Sequence, residues 1–234
     1  MSLKNVVVFW DFDGTLAFRE GMWGSALLDS LREVRPNSQV SKADLSPHLQ
    51  TGFPWHEPDT PHLHLCRPDD WWSHMRSLLA GALVRAGVDE SDAVVCTQIV
   101  RERFLCPSAW TLYDDAIPAL EMLSELGGTN VILSNHVPEL EWLVGELGLA
   151  QCVDGVLTSA LTGYEKPHCR AFELGLQYAG NPVKAYMVGD NPVADVAGAE
   201  AVGIKGILVC RKEHAACAER IVSTLIDAAR MIAT

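Results

Sequence analysis

The chain has 234 residues, which is long enough for one large α/β domain or for one domain that carries an inserted second one. Hydrophobic residues make up 48% of it and charged residues 21%, a composition typical of a globular protein and unlike that of a disordered one. The formal net charge of −12 argues against nucleic acid as a partner, because binding a phosphate backbone requires a basic surface. A small phosphorylated ligand stays compatible with this charge if a metal ion and a few cations offset the repulsion locally.

The cysteines and the N-terminal sequence bear on the cellular compartment. The seven cysteines are scattered and show no CxxC pair, a pattern typical of reduced thiols in a cytosolic protein. No signal peptide is expected, because the apolar run near the N-terminus is short and leads straight into Asp11, and no run reaches membrane-spanning length. We therefore expect a cytoplasmic protein with no membrane partner, while its oligomeric state is left open.

The first predicted element is a strand at residues 5–10. Its unbroken β-branched and aromatic character is typical of a strand buried on both faces of a parallel sheet. Residues 17–107 then break the strand–helix rhythm of the rest of the chain, with helical patterns at 21–34, 69–86 and 89–104. We interpret this stretch as an inserted helical cap domain with its own small core, which leaves residues 1–16 and 108–234 for the main domain.

A segment rich in proline and histidine, residues 46–68, separates the first two of these helices and has no clear periodicity. Around Trp55 and His56 two interpretations stay open: a rigid loop that closes over a site and selects the substrate, or a plain connection. The histidines of the insertion do not follow any known zinc spacing, so a second metal site there is disfavoured. Trp71 and Trp72 are expected to pack the helices of the insertion.

Beyond the insertion, apolar runs at 130–133, 155–157, 185–188 and 206–209 predict four more buried strands. Helical patterns alternate with them. These patterns cover residues 118–126, 138–147, 168–179, 193–202 and 215–232. Such alternation implies right-handed crossovers and a doubly wound α/β sheet. Trp110 and Trp142 are expected to be core or linker residues.

Polar residues cluster at the predicted strand ends, which is where open α/β sheets bind ligands. The residues in question are Asp11, Asp13, Ser134, Asn135, Asp190 and Asn191, with Lys166 ahead of a crossover helix. Several carboxylates at one rim repel one another unless a hard cation lies among them, and oxygen ligands suit Mg²⁺. The serine, asparagine and aspartate residues could instead only cap the helices that follow, although a helix N-terminus is also an anion site.

Four motifs, in this order, resemble those of the haloacid dehalogenase-like (HAD) hydrolase superfamily. They are Asp11-Phe12-Asp13-Gly14-Thr15-Leu16, Ser134-Asn135, Lys166-Pro167 and Gly189-Asp190 with Asp195. Each motif alone is weak, but four in the right order and at strand ends are specific. The resemblance covers about residues 4–16 and 112–210, and the insertion matches in position and helical character only. It implies a Rossmann-like three-layer core with strand order 5-4-1-2-3, counted along the core, and a mainly helical cap.

The resemblance also implies a role for each motif residue. Asp11 is the nucleophile and a Mg²⁺ ligand. Asp13 is the general acid and base, and its backbone carbonyl is a second metal ligand. Lys166 neutralises Asp11 and the transferring phosphoryl group, while Asp190 completes the metal site. The phosphate-binding residues implied are Gly14, Thr15, Ser134, Asn135 and Lys166. Asn191 and Asp195 are expected to lie just outside the direct metal ligands and to help orient the groups of the site.

Asp13 favours phosphate esters over halides, because an alcohol leaving group needs a proton and a halide does not. The sequence thus predicts a Mg²⁺-dependent phosphatase that acts on a small phosphorylated metabolite. A sugar-phosphate mutase is an alternative, disfavoured because no histidine lies in residues 17–41. Phosphonate cleavage would need a cap lysine, and only Lys42 is available. A non-catalytic interaction module is the third alternative, which the retained motif residues disfavour. His136 is placed near the site entrance, without a chemical role.

Overall fold

A parallel sheet forms the centre of this computed structural model, which describes residues 3–211 and 218–234. Its first strand, β1 (Val6–Trp10), is wholly apolar and buried at every residue, as expected for a strand covered on both faces. The other strands are β2 (Ala17–Arg19), β3 (Trp110–Leu112), β4 (Thr129–Ser134), β5 (Gly155–Thr158), β6 (Lys184–Gly189), β7 (Lys205–Val209) and β8 (Ile221–Val222). The central sheet has the order β5-β4-β1-β6-β7-β8, and all its pairings are parallel.

The helices lie on the faces of this sheet and within the insertion. They are α1 (Met22–Val34), α2 (Lys42–Leu45), α3 (Pro68–Arg85), α4 (Glu90–Leu105), α5 (Ala116–Glu125), α6 (Leu140–Glu146), α7 (Ser159–Thr162), α8 (Cys169–Tyr178), α9 (Gly198–Glu200) and α10 (Leu225–Ala233). The predicted α/β class is confirmed, and so is the order of the five predicted core strands. Among the described residues, no helix has both the length and the apolar character needed to cross a bilayer.

The edge of the sheet beyond β7 differs from the prediction. A helix was predicted over residues 215–232, but residues 221–222 form β8, and α10 begins only at Leu225. This segment pairs with the edge of β7, where the Leu208 N–H donates a hydrogen bond to the Arg220 carbonyl at 2.9 Å. Thr224 then caps α10 by accepting from the Asp227 N–H at 3.1 Å. The predicted positions 215–217 lie outside the described residues.

A two-stranded antiparallel ribbon, in which β2 pairs with β3, brings together the two ends of the segment predicted to be an insertion. Between these strands, α4 packs against both α1 and α3. Trp71 and Trp72 are buried there, as expected, and Trp23 stacks on Phe104 with ring centroids 4.0 Å apart. Single 3₁₀ turns occupy the segment without periodicity, at Ser46–His48, Pro54–His56 and Leu63–Leu65.

Two expectations about tryptophans have different outcomes. Trp110 is buried, and its indole N–H donates to the Phe104 carbonyl at 2.8 Å. Trp142 is 49% exposed on α6, so its assignment to the core or to a linker is wrong. Leu140, Leu143 and Val144 form the apolar face of α6 that packs on the core, and Trp142 lies on the opposite, solvent-exposed face.

Candidate active site

Asp11 lies at the carboxyl end of β1, at the centre of the predicted rim. Its backbone N–H continues the sheet by donating to the Val188 carbonyl at 2.9 Å. The side chain is almost fully buried, and its Oδ1 accepts from Ser134 Oγ at 2.9 Å and from Lys166 Nζ at 2.8 Å. No described residue donates a hydrogen bond to Oδ2, so one carboxylate oxygen is held in place while the other is free to react.

Lys166 is an almost completely buried cation between two carboxylates. Besides Asp11, its ammonium donates to Asp195 Oδ1 at 2.6 Å. The Asn135 side chain fixes its backbone by donating to the Lys166 carbonyl at 2.9 Å and accepting from the Lys166 N–H at 2.7 Å. Burial alone lowers the pKa of Lys166, but the charges of Asp11 and Asp195 outweigh it and raise that pKa above its ordinary value. Lys166 therefore stays charged.

Three carboxylates meet at one point of the rim. Asp11, Asp190 and Asp195 each place one oxygen within 4.8 Å of the others. Partial burial, followed by the charges of the other two, raises the pKa of Asp190, although solvent still reaches its side chain. The backbone at Gly14 makes room for this carboxylate, since a Cβ there would lie 2.3 Å from Asp190 Oδ2. Its φ of +81° also favours glycine.

A short π-helical turn, Pro192–Ala197, presents Asp195 to Lys166. The prediction of one helix over residues 193–202 is wrong in detail, because this turn precedes the short α9. Asn191 stabilises the start of the turn by accepting from two of its backbone N–H groups, each at 2.9 Å. Its own N–H donates to Asp195 Oδ2 at 3.0 Å, so both oxygens of Asp195 are engaged in hydrogen bonds.

Asp13 faces a histidine to which the sequence assigned no role. Asp13 Oδ2 lies 3.8 Å from His136 Nε2, and Asp13 Oδ1 has no hydrogen-bond partner among the described residues. Burial, then the charges of Asp11 and Asp190, raises the pKa of Asp13 well above its ordinary value, although its side chain keeps 26% exposure. A raised pKa favours the protonated form of Asp13, which is the form that can donate a proton.

His136 is 3% exposed, and its ring packs edge-on against Phe12 with centroids 5.4 Å apart. Neither ring nitrogen has a hydrogen-bond partner among the described residues. Burial lowers the pKa of His136 to about 3, so the imidazole is neutral. The rings of Phe12, Phe104 and Trp110 surround His136. Because these residues are far apart in the chain, no local sequence signal indicates that His136 is buried.

The carboxylates line the floor of a cavity of about 540 Å³. Its floor and sides contain the polar residues Asp11, Asp13, Ser134, Asn135, Lys166, Asp190, Asn191 and Asp195. The remaining lining residues come from two parts of the chain. Met22, Trp23, Trp55, Pro58 and Phe104 belong to the stretch between β2 and β3, and His136, Val137, Pro167, Val193 and Ala194 follow β4 or lie near Lys166 and Asp190. The cavity thus joins the strand ends of the core to side chains of the insertion.

Three of the predicted binding residues do not line this cavity. Gly14 lies behind Asp190, and the Thr15 side chain is fully buried with no hydrogen-bond partner for its hydroxyl among the described residues. His56 is exposed and packs edge-on against Phe53, with centroids 5.4 Å apart. Trp55, its neighbour, does line the cavity.

Glu165 was missed by the sequence reasoning. It immediately precedes Lys166, is 2% exposed, and its Oε2 atom has no hydrogen-bond partner among the described residues. Burial raises the pKa of Glu165 to about 7. A glutamate next to a lysine is common on protein surfaces, so the sequence holds no signal of this burial.

The motif geometry agrees with a comparison against protein families. Residues 6–203 match the family model of the haloacid dehalogenase-like hydrolases. The chain belongs to this family. Membership of the HAD family confirms the resemblance that the four motifs carried.

Individual relatives are similar over part of their length. Human haloacid dehalogenase-like hydrolase domain-containing protein 3 is 37% identical over 127 residues, which are 53% of this chain and 50% of that protein. The phosphoserine phosphatase of Thermus thermophilus is 38% identical over 128 residues, 53% of this chain and 49% of that protein. The chain spans about half the length of these curated relatives.

A solved structure extends the likeness to the whole fold. The HAD-hydrolase YfnB of Bacillus subtilis, bound to magnesium, superposes with a TM-score of 0.74 and covers 99% of this chain and 100% of its own. Its sequence identity is 16%, so this likeness shows the shared fold alone.

Proposed function

We propose that this HAD-family chain is a Mg²⁺-dependent phosphatase that hydrolyses a small phosphorylated metabolite through an aspartyl-phosphate on Asp11. The observation that carries the proposal is the Asp11 carboxylate, held through one oxygen by Ser134 and Lys166, with the acid Asp13 beside it. Similarity to a phosphatase over half of the chain supports the same reaction class.

The residues at the rim fit a divalent cation. Four aspartates line the cavity, and Lys166 is the one cationic side chain among its lining residues. Asp11, Asp190 and the backbone carbonyl of Asp13 would hold Mg²⁺, since a hard cation prefers oxygen ligands. When bound, the ion supplies positive charge that offsets repulsion between the carboxylates and the phosphate. Asp195, whose oxygens are both hydrogen-bonded, would position Lys166 from behind.

In the first step, the free Oδ2 of Asp11 forms a bond to phosphorus as the bond from phosphorus to the alcohol oxygen breaks. Asp13 gives its proton to that leaving oxygen, which its raised pKa permits. In the second step, Asp13 takes a proton from water, whose oxygen bonds to phosphorus as the bond from phosphorus to Asp11 Oδ2 breaks. This releases inorganic phosphate and restores the Asp11 carboxylate. Lys166 offsets the charge on Asp11 and on the phosphoryl group throughout.

We propose further that residues 17–107 form a cap over a core made of residues 1–16 and 108–234. The β2–β3 ribbon that joins the two parts and the aromatic side chains that the insertion contributes to the cavity wall support this division. Closure of such a cap over a bound ester would exclude water that is not meant to attack.

The test is phosphate release from p-nitrophenyl phosphate with Mg²⁺ and with EDTA. We expect turnover only with Mg²⁺, no covalent phosphoenzyme in Asp11→Asn, and a loss of roughly 10²- to 10⁴-fold in Asp13→Asn. Asp114→Asn is the matched control, since Asp114 is exposed and does not line the cavity. Equal turnover in EDTA, or full activity in Asp13→Asn, contradicts the proposal.

A further inference from the structure

We infer that the cavity selects phosphate monoesters of uncharged, apolar or aromatic alcohols and rejects esters whose alcohol carries a second anionic group. This inference rests on the proposed phosphatase function and names the class of substrate. It follows from the division of the cavity into an acidic floor and an apolar wall.

The wall that faces the leaving group is built from uncharged apolar side chains. Its members are Met22, Trp23, Trp55, Pro58, Phe104 and Val137. All except Val137 come from the insertion between β2 and β3. Because the reacting phosphate must lie against Asp11 on the floor, the alcohol part of the ester extends toward this wall.

The aromatic rings of the wall stack on one another, and Trp23 and Phe104 are almost fully buried. Trp23 stacks on Phe104 at 4.0 Å with an interplanar angle of 11°, and Trp55 lies 6.4 Å from Trp23 at 25°. Trp55 is held from behind by Phe53, stacked at 4.6 Å. Trp55 is only half-buried, so part of its surface is left for a ligand to cover. A flat apolar group placed there gains from burial and from offset stacking.

The charges around the cavity disfavour a second anion. With Asp13 holding the proton for the leaving group, the lining residues carry three carboxylates and one lysine, so their formal charge is negative. A bound Mg²⁺ would offset the charge of the reacting phosphate and is therefore already engaged. The lysine, Lys166, already donates to Asp11 and Asp195. A carboxylate or second phosphate on the alcohol would lose its contact with water, find no cation besides Lys166 among these lining residues, and face the remaining acidic groups.

The discriminating experiment compares three alkyl esters in Mg²⁺: benzyl phosphate, phosphoglycolate and 1,3-propanediol bisphosphate. All three release an alkyl alcohol, so the leaving groups are chemically similar. We expect kcat/KM for benzyl phosphate to exceed that of both charged esters by at least about tenfold. Equal or higher kcat/KM for either charged ester overturns the inference and leaves the proposed function intact.

Two substitutions locate the selectivity in the wall. Trp55→Ala should lower the ratio of kcat/KM for benzyl phosphate to that for methyl phosphate by roughly 3- to 10-fold. Trp142→Ala, the removal of an exposed tryptophan outside this cavity, should leave that ratio unchanged. Met22→Lys should raise kcat/KM for the bisphosphate at least about fivefold over the uncharged Met22→Gln. A lysine variant that gains nothing over the glutamine variant also overturns the inference.

A binding measurement separates this inference from the proposed function. Calorimetric titration with benzylphosphonate and with phosphonoacetate needs no turnover. We expect the Kd for benzylphosphonate to be at least about tenfold lower. If no ester is hydrolysed but benzylphosphonate still binds more tightly, the phosphatase proposal fails and the inferred preference of the wall for uncharged groups holds. Equal Kd values, or tighter binding of phosphonoacetate, refute the inferred preference of the wall for uncharged groups.

Discussion

Replacing Glu165 with glutamine should stabilise the protein at alkaline pH. The Glu165 side chain is 2% exposed, and its Oε2 atom has no hydrogen-bond partner among the described residues. Burial raises its pKa from 4.5 to about 7, against smaller lowering effects of the Ser159 hydroxyl and the Lys166 ammonium. At pH 8 the folded protein therefore keeps a poorly solvated carboxylate that the unfolded chain would expose to water.

The size and sign of the effect follow from linkage between protonation and folding. A change in pKa from 4.5 to about 7 corresponds to about 3 kcal/mol, at about 1.4 kcal/mol per pKa unit. Because the folded pKa lies above the unfolded one, this contribution to stability is complete below pH 4.5 and is lost as pH rises through 7. Glutamine does not ionise, so the advantage of Glu165→Gln should grow by about 2 kcal/mol between pH 5.5 and pH 8.

Urea unfolding of wild type and Glu165→Gln, at both pH values and in EDTA, measures this difference. Glu146→Gln is the matched control because Glu146 is exposed on α6, and its effect should stay within about 0.5 kcal/mol at either pH. A difference in unfolding free energy between wild type and Glu165→Gln that does not change with pH would refute the reasoning.

Two further substitutions test the rim itself. Lys166→Met should lower the unfolding free energy by about 3–5 kcal/mol in urea titrations, because it leaves Asp11 and Asp195 buried without their cation; a loss under about 1 kcal/mol would contradict this. Gly14→Ala should weaken Mg²⁺ binding in calorimetry and cost about 1–2 kcal/mol of stability, since alanine is strained at φ +81° and its Cβ displaces the Asp190 carboxylate. Unchanged Mg²⁺ affinity would show that Asp190 does not hold the ion.

The buried core strands could be predicted from the sequence because burial on both faces restricts composition locally. Every residue of β1 is apolar and buried, and the run ends where Asp11 begins the rim. The helices of the insertion followed in the same way from their apolar spacing, as the bounds of α3 and α4 show.

The prediction failed where contacts distant in sequence outweighed local preference. Residues 221–222 had a helical pattern, but the open edge of β7 pairs with them instead. Trp142 is apolar, yet α6 already covers the core with Leu140 and Leu143, so Trp142 faces solvent. Periodicity reports what a segment can form, whereas the neighbouring surface decides what it covers.

The sequence by itself determined which residue types stand at the strand ends, and hence the family. Only the tertiary structure decided the environment of each side chain. It placed Lys166 between Asp11 and Asp195, and it enclosed His136 and Glu165 away from solvent. The physical reason is that pKa and hydrogen bonding depend on the charges and the solvent within a few ångströms, and folding brings that surrounding together from distant parts of the chain.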